Sequence, residues 1–333
     1  MTKFIVKFEP SNVELPCGGD ATLLDVALES GYFPKHSCRR GECRACETRI
    51  VSGSVRYAAG PSPDGLKAGH CLTCLAHPLS DVVLDAPEVS GVPGLRLVKA
   101  AVRVVSVDRV SPDVAVVRMQ LPATAGFRFT PGQYVDVVLR DGARRSYSMA
   151  NTPSDDGQIE LHIRAMPGGR FSQHVYRSLK PRDLLRLEGP FGSFTLSDTQ
   201  APVILLASGT GYAPIASIVH AHLNELISRG ATLYWGGRRL QDLYASKDVE
   251  SWANLSPRLK FVPVLSEPDP AWPGRTGFVH EAVQDDYPDL SGFEVYACGN
   301  PLMIDAARHA FTTECGLREG GFLSDAFVTA VGR

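Results

Sequence analysis

Three cysteines fall within nine residues of the segment HSCRRGECRACETR, which spans residues 36–49. Cys38, Cys43 and Cys46 have the spacing C-x4-C-x2-C, and Cys74 follows 28 residues after the third of them. Four thiolates in this order are typical of a 2Fe–2S cluster, because a tight loop can wrap three of them around it. The sequence therefore predicts an iron–sulfur site, in which Gly41 lets the loop turn where a side chain would block it.

Other interpretations of these cysteines stay open at this point. The pairs Cys43–Cys46 and Cys71–Cys74 could form a zinc ribbon, which leaves Cys38 without a role. A Rieske centre would need two histidine ligands, and His77 completes only half of that pattern. The thiols could also be buried and free.

A second group of residues could bind a flavin. In RSYSMAN, residues 145–151, Arg145 can place its guanidinium on a phosphate and Tyr147 offers a flat face to an isoalloxazine ring. Ser148 can form a hydrogen bond at the flavin N5 edge. The same residues would also fit an ordinary strand of a barrel, so the motif alone is weak evidence for a flavin site.

A third group could bind a dinucleotide. The segment SGTGYAP, residues 208–214, lies between a predicted buried strand and a helix. Gly209, Thr210 and Gly211 would let a pyrophosphate approach backbone N–H groups at the start of that helix. A tight strand–helix turn in any α/β protein would look similar, so this motif also needs support from elsewhere.

The elements that must position these groups change along the chain. Residues 1–90 predict a small β-rich domain with one helix, ATLLDVALESG, capped by Asp20 or Thr22 and ended by Gly31. Residues 99–198 show short alternating strands and one helical stretch, FSQHVYRSL, typical of an antiparallel barrel; the strands are AVRVVSVDRV, VAVVRMQL, QYVDVVL, RSYSMAN and QIELHIR. Residues 199–333 alternate strands with helices, the first of which is predicted to end at Arg229, and this alternation predicts a doubly wound parallel sheet.

Bulk composition narrows the possible functions. The 333 residues carry a net charge of −2, so charge gives no sign of nucleic-acid or membrane binding. No apolar run approaches the ~18 residues that cross a bilayer. The start, MTKFIVKFEP, does not resemble a signal peptide, so we expect a cytoplasmic protein. In that compartment, clustered thiols among the eight cysteines indicate metal or redox chemistry.

The first 88 residues resemble a plant-type ferredoxin domain with a β-grasp fold. CLTCLAHPLSDVVL resembles the family's distal-ligand segment, in which the last ligand lies six residues before a Ser-Asp pair. Ser80-Asp81 then implies Cys74 as the fourth ligand and Cys71 as a non-ligand. Arg44 stands where the family usually has glycine, directly after the second ligand.

The remainder resembles the ferredoxin–NAD(P) reductase superfamily, with an FAD-binding six-stranded barrel and an NAD-binding sheet. In this resemblance Arg145, Tyr147 and Ser148 form the R-x-Y-S motif, and GGRFS and CGNPLM are further family motifs. Ser148, Cys298 and Phe327 are implied as catalytic residues. The resemblance implies further residues for each cofactor. For FAD they are Arg164, Gly169 and Ser172, and for the nicotinamide nucleotide they are Gly209, Thr210, Gly211, Arg238 and Gly299.

Across the whole chain the three modules resemble the reductase components of ring-hydroxylating oxygenases. They also resemble the reductases of CDP-deoxyhexose biosynthesis, closely in RRSYSMAN, TGFVHEAV and FLSDAFV. The resemblance implies an oxidoreductase that takes electrons from NADH, with NADPH possible, through FAD and a 2Fe–2S cluster. The expected acceptor is a terminal oxygenase or another protein, such as a sugar dehydrase. A flavin-free zinc or redox-sensing module is the alternative of a different class.

Overall fold

The computed structural model describes residues 3–58, 60, 62–87, 89–91, 95–154 and 156–327. The chain separates into two compact units. The first comprises Met1–Lys99, Phe127–Phe129 and Gly189–Ser193, and the second comprises Ala100–Gly126, Thr130–Glu188 and Phe194–Arg333. The second unit contains both the predicted barrel and the predicted parallel sheet, and the predicted domain limits remain predictions.

A five-stranded mixed sheet with one helix packed on it forms the first unit. The elements of this unit are β1 (Lys3–Glu9), β2 (Val13–Gly18), α1 (Leu23–Glu29), β3 (Tyr32–Phe33), β4 (Glu47–Ser52), β5 (Val55–Tyr57), β6 (His70–Leu72), β7 (Ala76–Pro78), β8 (Val82–Asp85) and β9 (Ser90–Gly91). Strands β3 and β9, and strands β5 and β7, form two small pairs outside the five-stranded sheet. The strand order is β2-β1-β8-β4-β6, with β1 and β8 parallel. Of the two predicted caps of α1, Thr22 is the one used: its Oγ1 accepts the Asp25 N–H at 3.0 Å.

Six strands form the predicted barrel in the second unit. The elements are β10 (Val98–Arg109), β11 (Val114–Gln120), β12 (Tyr134–Val138), β13 (Arg144–Ser148), β14 (Gln158–Arg164), α2 (Arg170–Arg177) and β15 (Leu184–Phe191). Their order is β13-β12-β15-β10-β11-β14, and a bridge between Met149 and Leu161 joins the two ends. Strand β15 was not among the strands that the pattern predicts, because Gly189 and Pro190 interrupt its sequence.

The rest of the second unit is a parallel six-stranded sheet with helices on both faces. The elements are β16 (Val203–Ser208), α3 (Tyr212–Ala221), α4 (Leu223–Arg229), β17 (Ala231–Gly237), α5 (Ser246–Ala253), β18 (Leu259–Leu265), β19 (Arg275–Thr276), α6 (Val279–Asp286), β20 (Glu294–Gly299), α7 (Pro301–Thr313) and β21 (Phe322–Ala326). The order is β19-β18-β17-β16-β20-β21.

Alternate residues of the parallel strands supply two separate cores. Leu205 and Ala207 of β16 pack with α3, α4 and α5, whereas Ile204 and Leu206 pack with α6 and α7. Because both faces of the sheet are buried in this way, the sequences of its strands are nearly continuous apolar runs. The sequence predicted one helix up to Arg229, but the structure has α3 and α4, which are separated at His222 (φ −119°, ψ 28°). Within the described ranges, no helix has the length and hydropathy needed to cross a membrane.

Candidate functional site

Four cysteine side chains meet in the first unit as two pairs. The Cys38 N–H donates to Cys43 Sγ, and the Cys43 N–H donates to Cys38 Sγ, both at 3.4 Å. Cys46 Sγ lies 3.3 Å from Cys74 Sγ, and these two residues are 3% and 7% exposed. Two pairs suit a cluster of two irons, in which each iron takes two protein thiolates.

The backbone holds these sulfur atoms in place. Gly41 has a φ of +80°, which brings the loop back so that the Cys43 N–H reaches Cys38 Sγ, and the Arg40 N–H also donates to Cys38 Sγ at 3.4 Å. The segment that carries Cys74 is fixed by Thr73, whose N–H donates to the Cys46 carbonyl at 3.2 Å. N–H groups aimed at sulfur favour thiolates, which are the form that binds metal.

Proton sharing within each pair shifts the thiol pKa values in opposite directions. The hydrogen bond from Cys43 lowers the pKa of Cys38 to about 5, and the hydrogen bond from Cys74 lowers the pKa of Cys46. The same bonds raise the pKa of Cys43 and of Cys74.

Cys71 occupies a different environment. It is 0% exposed, belongs to the core with Val6 and Phe8, and burial raises its pKa to about 12. Within the described part of the chain, no three His, Cys, Asp or Glu side chains converge as a single metal ion requires. The place of Cys71 in the apolar core favours the two sulfur pairs over a zinc ribbon, while the four-cysteine ligand set remains a prediction.

The start of the cysteine loop is fastened within the first unit. His36 is 2% exposed, and its Nε2 accepts the Gly192 N–H at 2.8 Å. Burial lowers the pKa of His36 to about 4, so the ring is neutral and its Nδ1–H donates to the Pro34 carbonyl at 2.6 Å. The Arg39 guanidinium lies 3.7 Å from the centroid of the Phe191 ring.

The flavin motif lies at the end of β13. Arg145 and Tyr147 share one face of this strand, and Ser148 lies on the other. Burial raises the pKa of Tyr147 to about 12, so its hydroxyl stays protonated, and its ring packs 5.5 Å from that of Phe171. A guanidinium and a flat ring side by side are groups that could hold a flavin and its phosphate.

Gly169 and Ser172 lie at the start of α2, as GGRFS predicts. Gly169 is the N-cap, and the Ser172 Oγ accepts the Met166 N–H at 3.1 Å and donates to the Gly169 carbonyl at 3.2 Å. The Ser172 hydroxyl therefore fastens the turn. The N–H groups of the first helical turn are the donors that this arrangement offers to a phosphate.

The dinucleotide motif forms a turn packed tightly on the end of β20. Gly209–Gly211 is one turn of 3-10 helix, and a Cβ on Gly211 would lie 2.1 Å from the Cys298 carbonyl oxygen. Only glycine fits there. Ser208, where relatives usually have glycine, accepts the Asn300 N–H on its Oγ at 2.8 Å and so ties together the ends of two strands. The ends of parallel strands are where sheets of this class bind ligands.

Asp325 is a functional candidate that the sequence analysis missed. It is 6% exposed, and the Ser148 Oγ–H donates to its Oδ2 at 3.4 Å. On neighbouring strands it is paired with Cys298, whose pKa is raised strongly by burial and then by the Asp325 charge. A possible signal was SDAFV itself, because residues two apart on a strand share a face, here Asp325 with Phe327.

Phe327 and Gly299 complete this junction. The Phe327 N–H donates to the Gly299 carbonyl at 2.8 Å, and its ring is half-buried against the core around Tyr212. Gly299 has a φ of +126°, and a Cβ there would meet Ser208 Oγ at 2.4 Å. The structure thus brings Ser148, Cys298 and Asp325 together, while contact of Phe327 with a flavin remains a prediction.

Arg164 lies closer to the dinucleotide turn than the sequence indicated. Its Nε donates to Asp113 at 2.6 Å, its Nη2 lies 3.6 Å from Asp242, and a Cβ on Gly209 would be 2.8 Å from its Nη1. Asp242 is 7% exposed and accepts the Arg238 N–H at 2.8 Å, whereas Arg238 itself is exposed. The carboxylate is therefore committed to the fold, and the guanidinium of Arg238 faces solvent.

Comparison with protein families assigns all three modules. A 2Fe–2S iron–sulfur cluster binding domain matches residues 6–79, an oxidoreductase FAD-binding domain matches residues 101–196, and an oxidoreductase NAD-binding domain matches residues 205–309. The chain is thus a flavin- and iron–sulfur-dependent oxidoreductase. This confirms the predicted fold class and the three predicted cofactors.

Similar proteins match over almost their whole length. CDP-6-deoxy-L-threo-D-glycero-4-hexulose-3-dehydrase reductase of Yersinia pseudotuberculosis is 40% identical over 97% of this chain and 98% of its own. Terephthalate 1,2-dioxygenase reductase component 1 of Comamonas is 31% identical over 98% and 97%. The crystal structure of the Amycolatopsis cytochrome P450 reductase GcoB is 32% identical, covers 98% of this chain and 99% of its own, and has a TM-score of 0.84. The chain belongs to this family of reductases, which transfer electrons from NAD(P)H via FAD and a 2Fe–2S cluster.

The residues at the junction can serve this chemistry in defined ways. When bound, FAD would supply the chemistry of accepting a hydride and passing electrons on, and Arg145, Tyr147 and Ser148 are the residues that would hold its ring and phosphate. The hydrogen bond to Asp325 fixes the direction in which the Ser148 hydroxyl group points. Cys298 remains a neutral thiol because its pKa is raised. Ser148, Cys298 and Asp325 are all buried, and Gly211 packs directly against the Cys298 carbonyl.

Proposed function

We propose that this chain passes electrons from NADH, through FAD and a 2Fe–2S cluster, to a terminal oxygenase of the Rieske non-heme iron type that hydroxylates aromatic rings. The observation that carries the proposal is the presence, in one chain, of the two cysteine pairs and of the junction at Ser148, Cys298 and Asp325. The similarity to the dioxygenase reductase of Comamonas supports the oxygenase as acceptor.

The proposal assigns a role to each predicted residue. Cys38, Cys43, Cys46 and Cys74 hold the cluster. Ser148, Cys298 and Phe327 lie at the meeting point of flavin and nicotinamide. The residues assigned to cofactor binding are Arg145, Tyr147, Arg164, Gly169 and Ser172 for FAD, and Gly209, Thr210, Gly211, Arg238 and Gly299 for the nicotinamide nucleotide.

A second acceptor is supported by a separate observation. The reductase of the Yersinia dehydrase is 40% identical to this chain, compared with 31% for the dioxygenase reductase. The second candidate function is therefore delivery of electrons to a CDP-4-keto-6-deoxyhexose dehydrase. For either acceptor we propose a cytoplasmic location, where cysteines stay reduced; none of the eight cysteines, all of them among the described residues, forms a disulfide.

Two cysteine variants test the electron route. In Cys74→Ser we expect NADH to reduce ferricyanide, a small acceptor that can take electrons from the flavin, at the wild-type rate. Reduction of cytochrome c or of a partner oxygenase should fall at least tenfold, because the cluster is lost. Cys71→Ser is the matched control, and it should retain both activities and the visible absorption of the cluster. Loss of the cluster in Cys71→Ser with retention in Cys74→Ser would contradict the ligand assignment.

The acceptor is tested by reconstitution. Purified reductase, NADH and a Rieske oxygenase should yield hydroxylated product, while the same reductase with a sugar dehydrase should not yield deoxysugar. The reverse pattern would replace the first candidate acceptor by the second.

A further inference from the structure

Arg44 adopts a backbone conformation that is unfavourable for an arginine. Its φ is +58°, in the left-handed region that glycine enters freely and other residues rarely adopt. It lies between Cys43 and Cys46, inside the cysteine loop. A strained conformation at this place needs a compensating interaction from the rest of the fold.

The compensating interaction is a fork of two hydrogen bonds. The Arg44 Nη1 donates to the Gly65 carbonyl at 2.7 Å, and its Nη2 donates to the Asp64 carbonyl. These acceptors are 20 and 21 residues further along the chain, in the segment 62–67 that precedes β6. A planar guanidinium that bonds two neighbouring carbonyls fixes both distance and orientation, which a lysine cannot do.

Other contacts hold the same segment at its two ends, one from Glu47 and one from Tyr57 of β5. Glu47, three residues after Arg44, accepts the Lys67 N–H on its Oε1 at 2.9 Å. Ser62 forms a hydrogen bond with the Tyr57 hydroxyl, which also accepts the Leu72 N–H at 3.3 Å. Segment 62–67 is thus held at both ends and in the middle, and Arg44 supplies the middle contact.

Gly65 is shaped for this contact. Its φ is +71°, and a Cβ on it would lie 3.0 Å from Arg44 Nη2. The absence of a side chain lets the guanidinium reach the carbonyls, so the arginine at 44 and the glycine at 65 form one complementary pair.

We propose that Arg44 is a positioning residue that fastens segment 62–67 against the cysteine loop and so slows the access of water and chelators to the cluster. This inference rests on the cluster ligation proposed above. The guanidinium acts through the two hydrogen bonds that its planar shape allows, and its positive charge is of secondary importance.

Amide hydrogen exchange of residues 62–69, followed by mass spectrometry, tests the fastening directly. In Arg44→Ala we expect exchange in this segment to be at least tenfold faster than in the wild type. Arg44→Lys keeps the charge without the fork and should behave like Arg44→Ala. Arg40→Ala is the control, because Arg40 is in the same loop and its ion pair at 3.4 Å is with Glu42; its exchange should match the wild type.

Bleaching of the visible cluster absorption by an iron chelator is the second readout. It should be severalfold faster in Arg44→Ala and Arg44→Lys than in the wild type and Arg40→Ala. Wild-type exchange in Arg44→Ala, or wild-type behaviour of Arg44→Lys in both measurements, would overturn the proposal. Because exchange of residues 62–69 can be measured without a cluster, a wild-type protein that bound no iron would refute the ligand assignment separately.

Discussion

Asp325 is placed to orient one hydroxyl and to keep one thiol neutral. Its carboxylate accepts a hydrogen bond from the Ser148 hydroxyl, with 3.4 Å between the two oxygen atoms. Its negative charge adds to the effect of burial, and both raise the pKa of Cys298. Both neighbours are on the predicted list of catalytic residues. A carboxylate that is 6% exposed and bonded in this way is costly to bury, which indicates that the junction depends on it.

Replacement of this carboxylate should slow hydride transfer while leaving nucleotide binding largely intact. In Asp325→Asn we expect the rate of flavin reduction by NADH to fall about 10²-fold, since the neutral amide is a weaker acceptor for the Ser148 hydroxyl than the carboxylate. Stopped-flow bleaching of the flavin at saturating NADH measures this rate. Asp305→Asn, at an exposed position of α7, is the control and should leave the rate unchanged. A wild-type rate in Asp325→Asn would show that the Ser148 contact has no part in the transfer.

For single residues, the sequence analysis identified the functional side chains whose partners are close along the chain. Cys38, Cys43 and Cys46 lie within nine residues, so their spacing alone pointed to a cluster. Asp325 was missed because its partner Ser148 is 177 residues away, and such a distance leaves no local pattern. The fork of Arg44 was missed for the same reason.

The elements of the parallel sheet are joined by a buried ion pair. Arg229, at the end of α4, has a side chain that is 0% exposed, and its Nη2 donates to Glu294 at the start of β20 at 2.7 Å. Burial on its own raises the pKa of Glu294, but hydrogen bonds from Ser197, Arg229, Thr199 and Tyr296 outweigh it and hold this pKa below its ordinary value of 4.5. The pair ties the end of α4 to the start of β20.

The loss of one partner should destabilise this sheet strongly. Arg229→Met would leave Glu294 buried without its partner, and we expect a loss of about 3–5 kcal/mol in the free energy of unfolding. Because folding lowers the pKa of Glu294, its stabilising contribution is present above pH 4.5 and is lost as the pH falls below it. Chemical unfolding at pH 7 and pH 4 measures both effects.

Glu294→Gln is the comparison for the pH dependence. It should reduce the loss of stability between pH 7 and pH 4, since it removes the titrating group. A pH dependence identical to the wild type would show that other carboxylates control acid unfolding.

At the scale of the whole molecule, the order of modules was predictable and some of their limits were not. Alternation of period two, and then of strand with helix, indicated an antiparallel barrel followed by a parallel sheet. Strand β15 escaped detection because a glycine and a proline interrupt it. Residues 189–193 belong to the first unit through contacts such as that of His36 with Gly192, which are 156 residues apart and invisible in local sequence.

The composition of the purified holoprotein follows from these modules. We expect about two irons, two acid-labile sulfides and one FAD per chain, because a 2Fe–2S centre takes four cysteines and a single FAD-binding domain is present. Elemental analysis, sulfide assay and the visible spectrum measure these ratios. One zinc per chain in place of iron would support the zinc-ribbon interpretation instead.

The pair formed by Arg44 and Gly65 also has an evolutionary consequence. A side chain at position 65 would force the Arg44 guanidinium to shift, since a Cβ there would lie 3.0 Å from its Nη2. In descendants of this chain the two positions should therefore vary together. A lineage that reverts to glycine at 44 releases position 65 to accept asparagine or aspartate, the other residues that tolerate a positive φ. The history of this loop would then be recorded as covariation between two sites that are 21 residues apart.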